Sequence, residues 1–245
     1  MNLQDYSKVV NARNRAVIFI GDQHLPYEHQ DYLSFIKSVK KSYAKQNPLI
    51  INMGDEVDYH AMSFHDSDED LFSAGHELDL AVERLEAWNK AFPEMLLLES
   101  NHGSMAFRRF KSGGIPIRLI KPLQEIYNTP KWTWWHDIMI KTKNGPVYLC
   151  HGKASGYGAL AKEQGCSSVQ GHYHGKHEIT WHNRIGHKRF NMFTGCGINW
   201  QSMAFAYGKN HLPKPILGCG SIDNNGMPHL HHMALDGRGR WVGRS

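Results

Sequence analysis

Five short strand-like runs in this chain, four of them mainly apolar, each give way to a cluster of glycine, acidic, amide or imidazole residues. Residues 16–20 lead into Gly21-Asp22-Gln23-His24, and residues 49–52 lead, after Met53, into Gly54-Asp55-Glu56-Val57-Asp58. Residues 95–98 precede Ser100-Asn101-His102-Gly103, residues 147–150 precede His151-Gly152, and residues 168–170 precede Gly171-His172-Tyr173-His174. Short runs of this composition read as strands buried on both faces. Between the first three lie two segments with apolar residues at helical spacing. Tyr32, Leu33, Phe35, Ile36, Val39 and Tyr43 mark residues 30–45; Leu78, Leu80, Ala81, Val82, Leu85 and Trp88 mark residues 77–92. Strand, helix, strand, helix, strand in that order predicts a parallel sheet. Ligands of open α/β sheets bind beyond the carboxyl ends of the strands, so the polar clusters are expected along one edge.

The second half predicts strands at 134–141, 146–150, 168–170, 177–181 and 187–193, the last two as a hairpin around 183–186, with a short helix at 155–163. Residues 216–222 and 229–234 predict a further strand pair. Residues 59–76 and 100–133 lack clear periodicity and are expected to be irregular segments covering the site. A length of 245 residues suits one domain, 1–245. No apolar run approaches the ~18 residues of a membrane span, and Met1 to Arg15 holds no signal-peptide core. The expectation is a cytoplasmic protein with no membrane partner. Cys150, Cys166, Cys196 and Cys219 form no C-x-x-C pair, which excludes a zinc ribbon and predicts reduced thiols, with Cys150 in the core.

The side-chain types in the clusters point to cations. Carboxylate oxygen, imidazole nitrogen and amide oxygen suit Mn²⁺ first, and also Mg²⁺, Fe, Zn²⁺ or Co²⁺. A shared carboxylate can hold two such ions about 3.5–4 Å apart, the separation used for in-line attack at phosphorus. Each cluster alone is a weak signal, since Gly-Asp is usually a turn and a histidine after a strand is usually structural. Five in order, each after a strand, are a strong one.

Asp22-x-His24, Gly54-Asp55, Asn101-His102, His151 and Gly171-His172-x-His174 resemble the successive motifs of calcineurin-like metallophosphoesterases. The resemblance runs from Asp22 to His174 and implies an α/β fold, a four-layer α/β/β/α sandwich. It implies that Asp22, His24 and His174 hold one divalent ion, that Asn101, His151 and His172 hold a second, and that Asp55 bridges them. The sequence departs from the family at the third motif. Ser100 stands where glycine is common before the asparagine, and Gly103 where an acid is common after the histidine. What orients His102 is therefore open; Asp58 and Asp66 are the two possibilities. Tyr59-His60 replaces the Arg-Gly of the protein-phosphatase branch, which argues against phosphoprotein substrates.

The expected reaction is attack on phosphorus by a hydroxide bridging the two ions, with His102 giving a proton to the leaving oxygen. Arg108, Arg109 and Lys153 are candidate phosphate binders, although a solvated helix face explains the two arginines slightly better. Tyr157, Trp200 and Tyr207 are candidates to stack on substrate; Trp132, Trp134 and Trp135 read as packing residues. His60 and His65 read as surface histidines in a lid, and strand alternation is enough to explain His229, His231 and His232. The net charge of +5 permits an anionic substrate, but no dense basic run marks a DNA track. In size and motif layout the chain is similar to nucleotide-acting family members of bacteriophages, which would work in the host cytoplasm. That likeness implies a phosphomonoesterase acting on (deoxy)nucleoside 5′-monophosphates. A phosphodiesterase or DNA exonuclease is the alternative, ahead of a non-catalytic binding module.

Overall fold

The computed structural model describes residues 7–63, 70–184, 187–202 and 214–243. His65, Asp66 and Tyr207, and the tip of the 183–186 hairpin, lie outside these residues. Two six-stranded mixed sheets pack face to face.

One sheet is built on β2 (Val17–Ile20), β3 (Leu49–Asn52), β4 (Met95–Leu98) and β5 (Trp132–Trp135), all parallel. β11 (Gly218–Ile222) pairs antiparallel with β2, and β12 (Pro228–His232) antiparallel with β11, extending that edge. Its helices are α1 (Tyr32–Ser42) and α2 (Ala74–Ala91). The continuous apolar runs follow from burial on both faces. In β2, Ile18 and Ile20 face the helices, while Val17 and Phe19 face the second sheet. Each such side chain contributes about 1.5–3 kcal/mol on full burial.

The second sheet runs β1 (Ser7–Asn11), β6 (Asp137–Thr142), β7 (Gly145–Cys150), β8 (Ser167–Gln170), β10 (His187–Thr194), β9 (His177–Arg184). Ile138, Ile140, Val147, Leu149, Val169, Phe190 and Met192 turn inward from it. On its outer face, Leu160 of α5 (Ala159–Gln164) packs with Tyr148, Cys150 and Cys166. The layers are therefore α/β/β/α, as the motifs implied.

Three expectations need correction. The run expected as one strand at 134–141 is two: β5 ends at Trp135 in one sheet and β6 begins at Asp137 in the other. Residues 100–133 are not irregular throughout, because they contain α3 (Met105–Ser112) and α4 (Leu123–Ile126). His60 is not a surface residue; it is 8% exposed beneath α2, and its N–H donates to the Glu77 carboxyl at 2.7 Å.

Candidate metal centre

Every motif occupies the loop beyond the carboxyl end of a strand. Asp22 and His24 follow β2, Asp55 follows β3, and Asn101 and His102 follow β4. From the opposing sheet, His151 follows β7, and His172 and His174 follow β8. The loops turn at once: Asp22, His24, Asp55 and His172 have φ of 52°, 53°, 53° and 66°. This left-handed conformation is unfavourable for residues with a Cβ, though Asp and His are among those that tolerate it. Close approach also calls for glycine. A Cβ on Gly171 would lie 2.6 Å from Asp22 Oδ2, and one on Gly54 would lie 2.7 Å from His151 Nδ1.

These turns bring seven side chains together. His174 Nε2 lies 3.2 Å from both His24 Nε2 and Asp22 Oδ1. His151 Nε2 lies 2.8 Å from Asn101 Oδ1 and 3.2 Å from His172 Nδ1. Asp55 Oδ2 stands between the groups, 3.5 Å from His24 Nε2 and 3.1 Å from His151 Nε2. Asp22, His24, Asp55 and His174 form one set able to hold a metal ion; Asp55, His151 and His172 form another. Asp55 belongs to both.

The donor set fits cations on three counts. Two nitrogens each ~2.1 Å from a tetrahedral ion are roughly 3.4 Å apart, close to the separations seen here. Asp55 Oδ2 is buried with no aligned hydrogen-bond donor, the state expected of an oxygen reserved for a metal. The outward nitrogens are also anchored: His24 Nδ1 donates to Asp58 Oδ1 at 2.5 Å and His151 Nδ1 to the Met53 carbonyl at 2.8 Å. Such bonds fix the tautomer and aim the Nε2 lone pair at the centre.

Electrostatics agree. Burial alone would raise the Asp55 carboxyl, but His151, His102 and His24 outweigh it and hold it well below the usual carboxylate range. Burial lowers His24, helped by His102, which keeps its imidazole neutral. Burial and the neighbouring His151 also lower His172. Asp55 and Asp22 lift His151 to about 9 against its burial, so a cation bound there displaces a proton.

His102 packs edge-on against the His24 ring, with 4.6 Å between centroids, and forms a further possible ion-holding set with His24 and Asp58. Its Nδ1 donates to the Asp58 carbonyl, with Asp58 Oδ1 3.3 Å away, and its N–H donates to Asp55 Oδ1 at 3.1 Å. Asp58, one of the two acids considered for orienting it, is thus beside it; Asp66 lies outside the described residues. Burial would lower His102, yet Asp55 and Asp58 raise it, favouring the protonated form.

A cleft of about 480 Å³ opens over Asn101, His151 and His172, and Arg108, Lys153 and His136 line its rim. Arg108 donates to the Asn101 carbonyl at 2.7 Å. Lys153 Nζ donates to Tyr148 Oη at 2.5 Å, and an ammonium has two further donors to offer. Arg109 turns away and donates to the Met62 and Ser63 carbonyls. Tyr157 is 71% exposed against the His182 ring and does not line this cleft.

Three residues were given no role from the sequence. Ser100 Oγ accepts from Asp55 N–H at 2.9 Å and Gly103 N–H at 3.1 Å, tying the second motif to the third. Buried Glu56 accepts from Trp134 Nε1 at 2.9 Å beside Gly103. His136 marks the crossing between the sheets. Only Ser100 carried a signal, as a departure from the expected glycine.

An α/β/β/α sandwich with Asp and His sets at its strand ends defines the class: a fold carrying a candidate metal centre. No family model matches this sequence, and no curated protein matches it either. Among solved structures, a novel archaeal phosphodiesterase is similar over 89% of this chain and 99% of its own, at 13% identity and a TM-score of 0.43. Among the described residues, no helix is long and apolar enough to cross a membrane.

Proposed function

We propose that this chain is a two-metal phosphohydrolase that releases phosphate from (deoxy)nucleoside 5′-monophosphates. The observation that carries the reading is Asp55 Oδ2, buried without an aligned donor between two sets of imidazoles. Two divalent ions, when bound, supply neutralisation of the phosphoryl oxygens and a water of lowered pKa. Asp22, His24 and His174 would hold one, Asn101, His151 and His172 the other, and Asp55 both.

The remaining work falls to the protein. His102, held through Nδ1 by Asp58 and favoured in its protonated form, presents Nε2 to the leaving oxygen and donates the proton. Arg108 and Lys153 receive the phosphate charge at the cleft rim. Asp58 serves twice, orienting both His24 and His102.

The test compares phosphate release by the Mn²⁺-loaded protein from deoxynucleoside monophosphates, a monoester dye, a diester dye and single-stranded DNA. Monoester turnover should dominate, and His102→Ala should lose ~10²–10⁴-fold on unactivated monoesters. Faster cleavage of diester or DNA would replace the reading with a phosphodiesterase. Full activity of His102→Ala would remove its role.

A further inference from the structure

A second cleft, of about 400 Å³, lies where the Asp22–His24 loop runs on into Glu28 and His29; Arg84 of α2, Trp200 and Arg238 complete it. It shares no lining residue with the cleft at Asn101 and Lys153. It is nevertheless tied to the metal centre through the backbone. Gly197 N–H donates to the Asp22 carbonyl at 2.9 Å, and His29 N–H donates to the Gly197 carbonyl at 2.8 Å. Glu28 follows His24 by four residues, at most about 14 Å if extended. The chain is in fact turned there, since Tyr27 N–H donates to the His24 carbonyl at 2.7 Å. That span is of the order of one nucleotide.

The chemistry inside the cleft is specific. The Glu28 side chain is only 9% exposed, and its Oε2 is buried with no hydrogen-bond partner. Arg84 Nη1 stands 3.8 Å from Oε1, too far for a hydrogen bond. Among the described residues, the carboxyl has beyond Arg84 only its own backbone N–H nearby, and Oε2 is left without a donor. Beside it, the Trp200 indole is 44% exposed and lines the same cleft, a platform on which a planar ring can stack. Burial pushes the Glu28 carboxyl up to about 7 against the pull of Arg84. Two donors on its oxygens would favour the ionised form.

We propose that this cleft holds the base of a guanine nucleotide, with the Glu28 carboxylate rotating into the cleft to accept the ring N–H and the adjacent amino N–H, and Trp200 stacked on the ring face. The assignment rests on the nucleotide reading of the metal centre and narrows its substrate. Guanine is the base that presents two adjacent donors on its pairing edge. Adenine and cytosine set a donor beside an acceptor, and thymine sets one donor between two acceptors.

Equilibrium dialysis of the whole chain against guanosine, inosine and adenosine, with chelator present, isolates the cleft from the metals. Guanosine should bind saturably. Inosine, which lacks the amino group, should bind at least ~10-fold more weakly, because one buried oxygen stays unpaired. Glu28→Gln and Trp200→Ala should each weaken guanosine at least ~10-fold, and the exposed Trp200 gives a variant whose folding is not in question. Equal binding of guanosine and inosine, undiminished binding by Trp200→Ala, or no saturable binding would overturn the assignment. The two readings fail separately. Guanosine binding without nucleotide hydrolysis would end the phosphohydrolase reading, and hydrolysis without guanosine preference would end this one.

Discussion

Ser100→Ala removes one oxygen on which two backbone N–H groups depend. Asp55 and Gly103 donate to it at 2.9 and 3.1 Å, and the residue is 7% exposed. Stranding a buried donor costs ~1–3 kcal/mol, so two stranded donors set a ceiling of roughly 6 kcal/mol. Gly103 is itself buried, but its neighbours His102 and Ser104 are only partly so, and a small shift of that loop brings water to the Gly103 N–H, which places the expected loss in the lower half, ~2–4 kcal/mol. At ~2–4 °C per kcal/mol for a chain of this size, the midpoint should fall by roughly 4–16 °C. Thermal unfolding by circular dichroism in chelator measures this without interference from ions. The same change should weaken cation binding by ~10–100-fold, as loss of an outer hydrogen-bond partner does, because Asp55 and Asn101 sit on the two loops it joins. Titration of Mn²⁺ by calorimetry reads that effect. A midpoint within ~1 °C of the wild type, together with unchanged Mn²⁺ affinity, would refute the reasoning.

Two further outcomes follow from the site and its support. Mn²⁺ at a hundredfold excess over its dissociation constant should stabilise the protein by ~2.7 kcal/mol, read as a calorimetric upshift of roughly 5–11 °C; Asp55→Asn should remove most of it. Glu77 accepts from His60 and Ala61 N–H at 2.7 and 2.8 Å, and burial raises its carboxyl to about 7. The native state therefore keeps a proton that the unfolded chain releases above about 4.5, so this group's stabilisation is complete at low pH and is lost as pH rises through about 7. Denaturant melts of wild type and Glu77→Gln, its neutral isostere, should lie closest near pH 5 and separate toward pH 8, the wild type losing stability relative to the variant.

Much of this architecture was legible in the chain because β2, β3 and β4 are buried on both faces and α1 and α2 on one. Those burial patterns leave continuous apolar runs and helical spacing behind. β1 left no such trace, since its residues alternate between exposed and half-buried at a sheet edge. The break at His136 was also hidden. The residues of β5 and β6 read as one apolar strand, and only the pairing of β5 with β4 and of β6 with β7 separates them. Among the site residues, Asp22, His24, Asp55 and His174 announced themselves by position after strands. Asp58 could be guessed only as one of two acids, and the part played by Ser100 needs the distance to Asp55, which lies 45 residues away.

Four of the side chains around the centre sit on peptide units bent into a conformation that costs about 1–2 kcal/mol each relative to the ordinary helical or extended forms. That cost is carried by the surrounding packing and hydrogen bonds, so the stability of the rest of the fold underwrites the shape of this one edge. A substitution that weakens the core can then loosen these turns without touching them.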